Sequence, residues 1–140
     1  MKTKFTGRCA CGEVAWETDG PVLWSGHCHC ESCRRASSAP VTSFFGVPRA
    51  SVTWRGEITI RQSSKNVERG HCGLCGSQVL FRAALWPDET HLYAATLDDP
   101  AQFTPEAHFH WAERVPWLII ADDLPKYAAS ADDAEPIPGA

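Results

Sequence analysis

The sequence has no long run of basic residues and no long run of apolar ones. Thirteen Lys and Arg stand against seventeen Asp and Glu, a formal net charge of −4. Nucleic-acid binding rests on basic patches that neutralise phosphate, so direct contact with DNA or RNA is not expected. The longest apolar run, Trp117-Leu118-Ile119-Ile120-Ala121, falls far short of the ~20 residues a membrane span needs. No membrane association is expected. Met1-Lys2-Thr3-Lys4-Phe5 lacks the apolar stretch of a secretory leader. The expected compartment is therefore the reducing cytoplasm, where clustered cysteines hold metal more often than disulfides. No repeat of fixed period is visible, and no cysteine stands alone.

What is present is cysteine in groups. All seven fall into three clusters: Cys9-Ala10-Cys11-Gly12, Cys28-His29-Cys30-Glu31-Ser32-Cys33 and Cys72-Gly73-Leu74-Cys75-Gly76. Seven is an odd number, which disfavours a simple disulfide framework. It divides naturally into one four-thiolate site, which is closed, and one three-thiolate site, which keeps a coordination position for chemistry.

The rest of the chain reads as short strands between turns. At 140 residues, 44% of them hydrophobic, with six Trp and six Phe, it is long enough for one domain with a real core. Alternation marks strands at Lys2 to Arg8 and Glu13 to Thr18, with Cys9 to Gly12 as the hairpin turn between them. Val22 to His27 leads into the second cysteine cluster, and Glu31 to Ser37 has room for one or two helical turns. Further strands are expected at Pro40 to Val47, Gln78 to Ala83, His91 to Thr96 and Pro116 to Ala121. Asn66 to His71 enters the third cluster. Ser51 to Arg55 and Glu57 to Ser63 suggest a hairpin broken at Gly56. The fold class expected is mostly β, with little helix. The domain expected is 1–127, followed by a disordered Ala-, Asp- and Pro-rich tail at 128–140.

Cys72-x-x-Cys75-Gly76 has the form of a zinc knuckle, in which glycine takes the tight turn. Cys9-x-Cys11-Gly12 is a shorter version, and together they complete a Cys₄ site. A redox Cys-x-x-Cys is the rival for Cys72 and Cys75, but it needs a βαβ context that is missing here. Thiolate-rich tetrahedral sites suit zinc or rubredoxin-like iron.

For Cys28, Cys30 and Cys33, two readings stand side by side. If residues 27 to 30 are extended, Cys28 and Cys30 share one face, and His27 and His29 face the other way as packing groups. The site is then open. If His27 or His29 turns inward, it is a closed Cys₃His site. An open three-thiolate zinc is formally −1, a weaker Lewis acid than a three-histidine zinc, and better matched to a sulfur ligand than to hydrolysis. His108 and His110 would share a strand face, but with two metals already accounted for they read as packing beside Trp111. Phe44, Phe45, Trp54 and Trp86 read as core or rim aromatics. Arg34 and Arg35 could pair with a substrate carboxylate or face solvent. Glu31 could move a proton or simply sit exposed at a helix start. Asp98, Asp99, Asp122 and Asp123 read as solvated turn residues.

The order Cys-x-Cys-Gly, Cys-His-Cys-x-x-Cys-Arg and Cys-x-x-Cys-Gly-Ser resembles the glutathione-dependent formaldehyde-activating enzyme family, which includes centromere protein V. Leu97-Asp98-Asp99-Pro100, Ala107-His108-Phe109, Val115-Pro116-Trp117-Leu118 and Asp123-Leu124-Pro125 add to the likeness. Ser38 stands where many members have glycine. The resemblance implies a tent-like, zinc-pinned arrangement of short antiparallel sheets. It implies two zinc ions per chain: a structural one on Cys9, Cys11, Cys72 and Cys75, and a catalytic one on Cys28, Cys30 and Cys33. The implied activity is that of a carbon–sulfur lyase joining a small thiol, glutathione in the founding case, to an aldehyde such as formaldehyde, or the reverse. The alternatives are a lyase for another thiol adduct and a non-catalytic zinc scaffold for protein or chromatin contacts.

Overall fold

The computed structural model describes residues 3–132 and 134–140. Met1, Lys2 and Asp133 lie outside them, so Lys2 of the expected first strand and Asp133 of the expected tail are not placed. The described chain forms, in order, β1 (Phe5–Arg8), β2 (Ala15–Thr18), β3 (Trp24–Cys28), α1 (Glu31–Ser37), β4 (Thr42–Pro48) and β5 (Val52–Arg55). It continues with β6 (Ile58–Ser64), β7 (Val67–Cys72), β8 (Gln78–Ala83), β9 (Glu89–Tyr93) and β10 (His108–Phe109). Short 3-10 turns fill several connections. The architecture is mostly β with little helix, as the alternation predicts. None of the described helices is long and apolar enough to cross a membrane.

The chain divides into two compact units. The first comprises residues up to Trp24 and Phe45–Phe103. In it β1, β2 and β5 make an antiparallel sheet in the order β1-β2-β5, with Trp16 opposite Trp54. The hairpin at Cys9 to Gly12 is the one expected. Alternation along β2 turns Trp16 and Thr18 inward. Trp16 joins Phe45, Val47, Leu92, Ala94 and Leu97 in a core against which Phe5, Val52 and Phe103 pack. Burying each large apolar side chain contributes about 2 kcal/mol.

The other strands of this unit run in the order β4-β9-β8-β7-β6. The expected β5–β6 hairpin is not formed. β5 pairs with β2, and β6 pairs with β7. The reason lies at Gly56, where φ is +90° and an added Cβ would stand 1.9 Å from the Glu13 carbonyl oxygen. The chain leaves one sheet there, pressed against Glu13, and enters the next.

The second unit comprises Ser25–Phe44 and Thr104–Ala140. In it β10 lies beside β3. Short antiparallel pairing is the expectation, but β10 lies parallel to β3, with His108 opposite His27 and Phe109 opposite Cys28. α1 forms where expected. Cys30 caps it by accepting the Cys33 N–H on sulfur, Glu31 sits in its first turn, and Arg34 and Arg35 sit in its last. Pro116 to Ala121 is no strand. It runs in the open, with Trp117 71% and Ile119 89% exposed, because its backbone joins no sheet.

Candidate metal centres

In the first unit two knuckles of like construction meet. The Cys9 N–H donates to the Val14 carbonyl, and the Gly12 N–H donates back to the Cys9 carbonyl. The Cys72 N–H donates to the Ser77 carbonyl, and the Gly76 N–H donates back to the Cys72 carbonyl. Gly12 and Gly76 both sit at positive φ, +82° and +79°, the turn for which the sequence reserves glycine. The Ser77 hydroxyl accepts the Ala10 N–H at 3.1 Å and so ties one knuckle to the other.

Backbone amides point at the sulfurs: Val14 at Cys9 (3.3 Å), and Leu74 and Cys75 at Cys72 (3.4 Å each). Such donors favour thiolate. The Ser77 side chain, with backbone donors, holds the Cys75 thiol down to about 5. Cys9, Cys11, Cys72 and Cys75 bring their four sulfurs within 4.8 Å of one another. Sγ of Cys11 is 3.6 Å from that of Cys9 and 3.7 Å from that of Cys72. Four thiolates at about 2.3 Å from a zinc in a tetrahedron stand about 3.8 Å apart, close to the two distances just given, so this donor set fits the metal.

In the second unit the three remaining cysteines come together, again within 4.8 Å. Cys28 ends β3, Cys30 caps α1, and Cys33 lies on its first turns. Sγ of Cys28 is 3.9 Å from Sγ of Cys33, and the Cys30 sulfur accepts the Cys33 N–H at 3.2 Å. The neighbouring Cys30 and Cys33 sulfurs, and then burial, push the Cys28 thiol far above its ordinary range. Three crowded sulfurs cannot all ionise unless a cation stands among them, which is the fit expected of a metal site. All seven cysteines are free of disulfides.

No histidine nitrogen or carboxylate oxygen of the described residues joins either group. His27 and His29 both face away from the sulfurs. His27 Nδ1 is 2.8 Å from the Ser43 hydroxyl. His29 Nε2 is 2.8 Å from His108 Nδ1, and His108 Nε2 is 2.8 Å from Asp122 Oδ2. Burial, and next the approach of His108, push His29 down to about 4, so it is neutral. Asp122 is exposed, as the solvated-turn reading has it, and its carboxylate is in addition engaged with His108. Burial works to raise its pKa, but the bond from His108 and the Leu124 N–H bring it below the usual carboxylate value.

The other candidates separate. His110 turns into a left-handed conformation after β10 and meets Glu113 at 3.0 Å, so it shares no strand face with His108. Glu31 pairs with Arg35 in the open at 2.9 Å. Arg34 donates to the Glu113 carbonyl. Phe44 and Phe45 are buried in their own units. The role of Asp122 escaped the sequence because its partner, His108, is fixed by a strand pairing that no local pattern announces.

The model of the family described as glutathione-dependent formaldehyde-activating enzyme matches residues 4–113. No curated protein gives a significant match. A crystal structure of a Rhodobacter sphaeroides protein shares the fold, with a TM-score of 0.56 and 23% sequence identity over 66% of this chain and 87% of that one.

Proposed function

The chain belongs to the glutathione-dependent formaldehyde-activating enzyme family, and from that premise we propose that it is a zinc-dependent carbon–sulfur lyase acting on a small thiol and an aldehyde. Cys9, Cys11, Cys72 and Cys75 hold a structural zinc, and Cys28, Cys30 and Cys33 hold the catalytic one. Glutathione and formaldehyde are the first substrates to test. The observation that carries the proposal is the three-sulfur group that no described histidine or carboxylate completes.

Zinc bound there supplies a soft, formally anionic centre able to keep a substrate sulfur as thiolate. The residues do the rest. Cys28 and Cys33 converge from the end of a strand and from a helix, and the Cys33 amide steadies the Cys30 sulfur. Placing both reactants at one point replaces an encounter in solution. In the forward direction a carbon–sulfur bond forms at the carbonyl carbon. The carbonyl π pair goes to oxygen, and the proton lost by the thiol ends on that oxygen. No electrons are gained or lost. The reverse reaction retraces the same path.

The test is a panel of thiols and aldehydes, glutathione and formaldehyde included, on zinc-loaded protein. Adduct formation is expected with at least one pair, and Cys30→Ser should reduce it to background while the protein stays folded. Turnover by Cys30→Ser at the native rate would sink the assignment.

A further inference from the structure

The three-sulfur site has a histidine inside its own sequence and does not use it. His29 lies between Cys28 and Cys30, yet its side chain is 3% exposed and its Nε2 is engaged with His108. His108 is 0% exposed and is held on both sides. Its N–H donates to the Pro125 carbonyl, its carbonyl accepts the Tyr127 N–H, and its Nε2 meets Asp122.

The Asp122 carboxylate accepts from His108 Nε2, and the other His108 nitrogen, Nδ1, lies within hydrogen-bond distance of His29 Nε2. The His29 ring is thereby tethered to His108, and no His29 nitrogen stands within 4.8 Å of all three sulfurs. The backbone agrees. The N–H groups of His27 and His29 both donate toward β10, to Ala107 and Phe109. Along an extended segment side chains alternate, so His27 and His29 share one face and Cys28 and Cys30 share the other. Trp111 packs at right angles to the His29 ring, with ring centroids 4.9 Å apart.

We infer that Asp122 and His108 are positioning residues: through the hydrogen-bonded chain Asp122–His108–His29 they hold the His29 imidazole away from the metal and fix the face on which Cys28 and Cys30 offer sulfur, so that the fourth position stays available to substrate. This rests on the proposed function above, because it takes Cys28, Cys30 and Cys33 to be the metal ligands.

The test uses cadmium-113 in place of zinc, with nitrogen-15 in the histidines, and reads the cadmium resonances of the full chain. The native protein should show two, one for four thiolates and one for three, the second without coupling to a histidine nitrogen. His108→Ala should move the three-thiolate resonance and leave the four-thiolate one in place. Asp122→Ala, the milder change, should move it less, and it keeps the test alive should His108→Ala not fold. A coupling from His29 to cadmium in the native protein overturns the inference. So does a three-thiolate resonance that stays put in every variant that folds. Absence of any second resonance in the native protein would instead remove the proposed function itself, so the two failures are told apart.

Discussion

Around Cys9, Cys11, Cys72 and Cys75 the protein offers backbone amides; behind Cys28 and Cys30 it offers buried side chains. The first cluster gathers ligands from segments 61 residues apart. The second takes all three from one short stretch, with Cys28 and Cys33 only 5 apart. The contrast has a thermodynamic consequence. Closing a loop costs chain entropy that grows as the logarithm of its length. Moving from a span of 5 to one of 61 changes that cost by about 2 kcal/mol. A metal in the first unit therefore restrains much more of the unfolded chain than one in the second. On the proposed assignment a metal in the first site would hold the fold, whereas loss of one from the second would leave most of the fold in place.

The largest effect that can break this comparison is on stability. Structural zinc contributes on the order of 10 kcal/mol, and Cys72→Ser takes away a fully buried ligand of the four-sulfur set. It should cost on the order of 5 kcal/mol or more, enough to unfold a marginally stable domain. Cys30→Ser should cost at least about 2 kcal/mol less, from the loop term alone. Denaturation in the presence of zinc measures both, and metal analysis should find two zinc ions in the native chain and one in Cys30→Ser. Equal losses in the two variants would show that the division of labour is wrong.

Much of the local arrangement around both groups was legible in sequence. The spacing of Cys72, Cys75 and Gly76 gave the knuckle, and the alternation from His27 to Cys30 gave the two faces. Glu31 to Ser37 gave the helix. What local sequence does not carry is the choice of partner. Alternation fixes which face a residue takes, not which strand lies beside it. So β5 was expected beside β6 and lies beside β2. The parallel approach of β10 to β3, which brings His108 to His29 from 79 residues away, had no local signal at all. Trp117 to Ile120 shows the opposite failure. Its apolar run looks like a strand, but no neighbouring strand accepts it.

A second, smaller contrast concerns buried histidines. The second unit hydrogen-bonds its own, whereas in the first His91 Nε2 finds no hydrogen-bond partner among the described residues, with Glu89 Oε2 at 3.8 Å. His91 stacks on Phe81 at 5.4 Å and meets the Trp24 edge at 4.6 Å. Burial, and then the charge of Arg49, push it down to about 4. Its ordinary value is about 6.5. Between those values the unfolded chain binds a proton that the folded chain refuses. Stability is therefore full above the upper value and falls as the pH drops toward the lower one. Between pH 7 and pH 5 the loss from this residue should be about 2 kcal/mol. His91→Phe should flatten that slope relative to the native protein when both are measured at saturating zinc, where thiolate protonation affects them alike. Parallel slopes in the two proteins would mean that His91 takes up its proton when folded.

The smallest effect sharpens the picture of the second unit. α1, which carries Cys33, ends on Ser38 in the left-handed conformation, φ 56° and ψ 32°. An L side chain there costs about 1 kcal/mol, and glycine removes the cost. This is the position at which the family resemblance places glycine in many members. Glycine also gains freedom in the unfolded chain, which offsets part of the benefit. Ser38→Gly should thus stabilise by about 0.5 kcal/mol, read as a higher denaturation midpoint at unchanged slope. Because the helix end steadies Cys33 and not the knuckles, the gain should accompany tighter metal retention by the three-sulfur group alone, with the four-sulfur group unchanged. A loss of stability would show that the Ser38 hydroxyl makes a contribution larger than the backbone cost. A gain shared equally by both metal groups would show that they respond to the helix end as one, and the contrast between the regions would have to be redrawn.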